Sequence, residues 1–153
     1  MTVIDLSAKI CMAHLLLKPT FHQYSFIEGE VTTFNKFHID GRIHKEFFDE
    51  KPEGEYSSWK EVQDFFLSVI KGKRTPLNFR LILSLSKENF SSFLSERGLS
   101  FRPDEIQGLY LNFRYDGSNL QCVTGVSTNS FTMDKTLEQE WDVYAKKILA
   151  MCI

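Results

Sequence analysis

The sequence is poor in the features that most readily classify a protein. Its three cysteines, Cys11, Cys122 and Cys152, are an odd number at distant positions without Cys-x-x-Cys spacing. This fits reduced, structural thiols in a cytoplasmic protein better than a disulfide framework. Apolar runs extend only a few residues, and Met1 to Ile10 lacks a basic cluster followed by an apolar stretch, so neither a membrane span nor an export signal is expected. A formal net charge of -2 offers no attractive field to a phosphate backbone, which argues against nucleic acid as a partner. There is no Gly-x-Ser-x-Gly, no cysteine beside a histidine, and all four histidines (His14, His22, His38, His44) lie in the first third of the chain. No reaction and no cofactor is announced by a motif.

What the chain does have is the composition of a folded domain. With 153 residues, 42% hydrophobic and 25% charged, it can bury roughly two-thirds of its unfolded surface in one core, so a single domain over residues 1–153 is expected. The 14 phenylalanines are in excess and require either a generous core or an adhesive surface.

Periodicity assigns the elements. Leu6, Ile10, Ala13, Leu16 and Leu17 recur at helical spacing, with Asp5 as N-cap and Pro19 as stop. From Phe21 to Phe48 aromatic and β-branched residues predict two or three antiparallel strands, with Glu28-Gly29 and Asp40-Gly41 as turn or bulge signals. Ser58 and Glu61 form a capping box for a helix burying Trp59, Val62, Phe65, Phe66, Val69 and Ile70, closed near Gly72. Leu77, Phe79, Leu81, Leu83 and Leu85 alternate with polar residues in a strand, and Ser86 opens a short helix ended by Gly98. Leu109, Leu111, Phe113 and Tyr115 mark another strand, which Asp116-Gly117 turns into a third near Leu120 to Ser127. A last helix opens at Asp134 and carries Leu137, Trp141, Tyr144, Ile148 and Cys152. Without a regular β-α-β alternation, the fold class expected is α+β: an antiparallel sheet of about five strands with helices packed on one face.

Three constellations could carry chemistry. Leu-Asn-Phe-Arg occurs at Leu77–Arg80 and again at Leu111–Arg114. Strand alternation sends Asn78, Arg80, Asn112 and Arg114 to the polar face both times, with Tyr110 adding a flat surface. If these strands are neighbours, paired guanidiniums and amides could hold a carboxylate or phosphate; otherwise they are a solvated sheet face. His38, Asp40, His44 and Glu46 have His-x-Asp and His-x-Glu spacings, which make His38, His44 and Glu46 weak metal candidates only if the pairs converge; an Asp40-Gly41 hairpin would put His38 opposite Ile43. Lys71-Gly72-Lys73-Arg74 follows a helix rather than preceding one, so it compensates the helix dipole instead of cradling a phosphate.

The stretches Thr32-Thr33-Phe34-Asn35, Ile39 to Phe47, Ile70 to Leu77, Thr124-Gly125 and Trp141-Asp142 together resemble a small uncharacterised bacterial family known only as a domain of unknown function. The resemblance spans almost the whole chain and implies no activity or catalytic residue. The function expected from the residues is a non-enzymatic binding module that uses the open sheet face to meet a protein, a peptide or a second copy of itself. The alternative is an enzyme or sensor for a small anion, with Arg80 and Arg114 as clamps and His38 or His44 as acid/base or metal groups.

Overall fold

The computed structural model describes residues 1–70, 72 and 74–153. Lys71 and Lys73, half of the basic run read as dipole compensation, lie outside the described residues. The fold is α+β, a six-stranded antiparallel sheet with four α-helices among the described residues. In chain order the elements are β1 (Val3–Leu6), α1 (Ala8–Leu16), β2 (Ser25–Thr32), β3 (Lys36–Asp40), α2 (Trp59–Ile70), β4 (Asn78–Ser84), α3 (Phe90–Glu96), β5 (Ile106–Tyr115), β6 (Leu120–Thr128) and α4 (Thr136–Ile148). The strand order is β1-β6-β5-β4-β2-β3. No helix among the described residues is long and apolar enough to cross a membrane.

The sixth strand is β1, where a helix with Asp5 as its cap was expected. Val3 to Leu6 instead pair with β6, from Val3↔Val123 to Leu6↔Leu120. The helix begins only at Ala8, with the Ser7 hydroxyl accepting from the Ile10 N–H. Four residues are too few to separate period two from period 3.6, and the pairing strand lies more than a hundred residues away.

Of the turn or bulge expected at Glu28-Gly29, there is no turn: the pair lies inside β2, at a bulge-like register shift between Phe26 and Glu28. The β2–β3 hairpin turns at residues 33–35, where the Thr33 N–H reaches the Asn35 carbonyl at 2.9 Å. Asp40-Gly41 is no hairpin turn either. His38 pairs with Glu30 rather than Ile43, the Asp40 carboxylate accepts from the Arg42 N–H, and the Gly41 N–H reaches the Ile27 carbonyl.

On the covered face Phe26, Val31, Leu81, Leu83, Leu109, Leu111, Phe113 and Cys122 join Trp59, Phe66, Phe93 and Trp141 from the helices in one buried cluster. The capping box at Ser58 and Glu61 is present, with both reciprocal hydrogen bonds. The buried stripe of α2 differs from the expected one: Phe65 is 60% exposed and Gln63 only 6%. Helical spacing puts Trp59, Gln63 and Phe66 on the inner line. Gln63 is tolerated there because its amide donates to the Leu15 and Lys18 carbonyls at 2.8 and 2.9 Å, groups that the end of α1 leaves without helical partners. Leu77, just before β4, is exposed rather than inward.

Candidate functional site

Because β4 and β5 are neighbours, the two Leu-Asn-Phe-Arg segments lie side by side, with Arg80 directly opposite Arg114 and Ile82 opposite Asn112. The cross-strand registers extend these pairs into two rows across the uncovered face of the sheet. One row runs Asp5, Gln121, Arg114, Arg80, Glu30, His38; the next runs Val3, Val123, Asn112, Ile82, Glu28, Asp40. Asn78 lies one position outside the first row, opposite Thr32. Tyr110 lies at the other end, opposite Ser84 and Gly125. Its ring folds over Gly108, whose missing side chain makes the room. Partial burial first, then the nearby Tyr56 and Glu55, raises the Tyr110 phenol above its ordinary value.

The arginines of the central pair are not equivalent. Arg80 lies 3.4 Å from a Glu28 oxygen and 3.6 Å from a Glu30 oxygen, while Glu28 also meets His38 at 3.4 Å and Glu30 meets Lys36 at 3.6 Å. Arg114 is exposed and has no ion-pair partner among the described residues. Like charges directly opposite on adjacent strands destabilise a sheet. Two carboxylates offset that repulsion on Arg80 and none does so on Arg114. Beside it, the side-chain carbonyl oxygen of Asn112 is buried without a hydrogen-bond partner among the described residues. An apolar strip of Val3, Val123 and Ile82 flanks the charged row, and Val3 is 56% exposed.

The histidines and carboxylates read as weak metal candidates do not converge. His38 faces Glu28 on the sheet, whereas His44 and Glu46 meet each other at 3.3 Å near a 3-10 turn (Lys45–Phe47) in the β3–α2 connection. A Glu46 backbone hydrogen bond, and then His44, hold the Glu46 carboxyl below its ordinary value. Among the described residues no group of three or more His, Cys, Asp or Glu is placed to hold a metal ion.

Sequence reasoning missed a second feature, a cavity of about 610 Å³ whose lining includes His22, Tyr24, Lys60, Asn89, Glu96 and Tyr144. A neighbouring hollow of about 560 Å³ shares His22, Gln23 and Asn89. Arg97 stacks on the rings of Phe93 and Tyr144, 4.6 and 4.7 Å from their centres, and pairs with Glu96 and Glu140. Burial, then Tyr144, raises the Tyr24 phenol. These residues come from four separate parts of the chain and form no linear motif. The one local hint was a polar Gln63 on an otherwise apolar helix line.

No curated protein and no solved structure matches the chain. Residues 14–152 match the model of a family of unknown function, DUF5721, and the chain belongs to that family.

Proposed function

We propose that this chain is a binding module whose uncovered sheet face docks a protein or peptide segment carrying a carboxylate beside apolar side chains. The observation that carries the reading is Arg114: an exposed guanidinium, set opposite another guanidinium and lacking a counter-charge among the described residues. A carboxylate placed there relieves the repulsion through forked hydrogen bonds, and Ile82, Val123 and Val3 supply apolar contact. Arg80, anchored by Glu28 and Glu30, sets the edge of the site, with Asn78 and Tyr110 at its ends.

The test is to map amide shifts of the labelled protein on adding a short peptide with one Asp between two apolar residues, against the same peptide with Asn. The Asp peptide should perturb β4, β5 and β6 around Arg114, and Arg114→Ala should weaken it about tenfold, the value of a charge-assisted hydrogen bond. Equal weak responses to both peptides would sink the reading.

The facing arginines also favour a second reading, a sensor or enzyme for a small anion. It lacks the convergence of His38 and His44 that acid/base or metal chemistry there would require. A panel of phosphorylated and carboxylated metabolites, tested against Arg80→Ala and Arg114→Ala, separates the two: a metabolite whose binding both substitutions abolish selects the sensor.

A further inference from the structure

The His22 cavity lies away from the sheet face, and its chemistry follows from a chain of hydrogen bonds. Gln63 is buried, and its side-chain nitrogen donates to both the Leu15 and Lys18 carbonyls. Both amide hydrogens are therefore used, so the Gln63 atom facing His22 must be the oxygen, 2.6 Å from Nε2. A carbonyl oxygen brings no proton. The proton between them belongs to His22, and the neutral ring is fixed as the Nε2–H tautomer with its lone pair on Nδ1. Nδ1 has no hydrogen-bond partner among the described residues, and the ring borders both hollows. Holding one histidine tautomer with a buried second residue is what a site needs when the other nitrogen must accept a proton or a hydrogen bond.

The charge in this cavity is equally defined. Glu96 is engaged by Arg97 at 3.5 Å. Lys60 lines the same cavity, is exposed and has no ion-pair partner among the described residues. Its backbone N–H reaches the His22 carbonyl at 3.4 Å, which keeps the two residues adjacent. The cavity thus offers a fixed acceptor and an uncompensated cation.

From this geometry we infer that the His22 cavity is a binding site for a small hydroxylated carboxylate, whose hydroxyl donates to Nδ1 of His22 and whose carboxylate faces Lys60. At about 610 Å³ it is ample for such a molecule. The inference is independent of the sheet face, since neither arginine lines the cavity.

The experiment is long-range proton–nitrogen NMR of the histidine rings in the intact chain, with glycolate as the probe, acetate as the match without a hydroxyl and ethylene glycol as the match without a charge. Before addition, His22 should show the Nε2–H pattern. Glycolate should shift Nδ1 saturably, at least tenfold more tightly than either control, and Lys60→Ala should reduce it to the level of ethylene glycol. Lys60 is on the surface, so that variant folds. An Nδ1–H or mixed tautomer in the unliganded protein overturns the proposal. So does an equal response to glycolate and acetate, or no response up to about 0.1 M glycolate.

Discussion

Gly41 sits where the chain leaving β3 crosses β2, so close that an added Cβ would overlap the Phe26 carbonyl oxygen and lie 2.7 Å from its carbon. At Gly29 an added Cβ would lie 2.5 and 2.8 Å from ring atoms of Phe66. A ring can rotate away, whereas a carbonyl in a hydrogen-bonded strand cannot, so Gly41→Ala should cost about 2–4 kcal/mol and Gly29→Ala about 1–3 kcal/mol, read from denaturant midpoints at constant slope. The reverse ranking would mean that the β2 backbone gives more easily than its packing suggests. Arg114→Ala is expected to leave stability within about 0.5 kcal/mol, or raise it slightly in low salt as the repulsion from Arg80 is lifted. A clear loss would reveal a structural partner for that guanidinium. Period-two spacing was enough to put Asn78, Arg80, Tyr110, Asn112 and Arg114 on one face. It could not show that Glu28 and Glu30 occupy Arg80, because that depends on β2 lying beside β4, and Glu28-Gly29 looks locally like a turn.

Elements were legible wherever their boundary residues act locally. The β5–β6 turn is one case: Gly117 has φ of 99°, and the Asp116 carboxylate accepts N–H groups from Asn119 and Ser118 at 2.7 and 2.9 Å. Those bonds, Asn119's first, hold the Asp116 carboxyl below its ordinary value. A depressed native value means that its contribution to stability is complete above the usual Asp value of about 3.9 and is lost as pH falls through the lower native value. Ser118 and Asn119 amide shifts should therefore titrate with a midpoint below that of a free Asp, and Asp116→Asn should flatten the response. A midpoint at the ordinary value would show the turn to be held by Gly117 alone. Where an element depends on a distant partner the sequence misled, as with β1, whose spacing reads locally as the start of a helix and whose strand identity comes from β6. Likewise, Gln63 inside α2 is explained only by the end of α1.

At the level of the whole molecule the three cysteines, far apart in sequence, all lie in the core at 0% exposure. Burial pushes the Cys122 thiol up to about 12, and a hydrogen bond with Cys152, together with burial, raises Cys11. Cys122, in the sheet interior, should react with a thiol reagent only as fast as the protein unfolds globally. Cys152 lies in a 3-10 turn at residues 150–152 and should react sooner through local opening there. Mass spectrometry of partially labelled protein reads the order; simultaneous labelling of both would show that the turn opens only with the core.

The charge layout of the bare sheet face also bears on the company the molecule keeps. Were a twin stacked on it centre to centre, Arg80 and Arg114 of both copies would crowd together while their glutamates stayed at the flanks, a juxtaposition that Coulomb repulsion penalises. On the proposed reading the face should stay vacant at high concentration, which sedimentation would read as a monomer, and yield only to a visitor that brings the opposite sign.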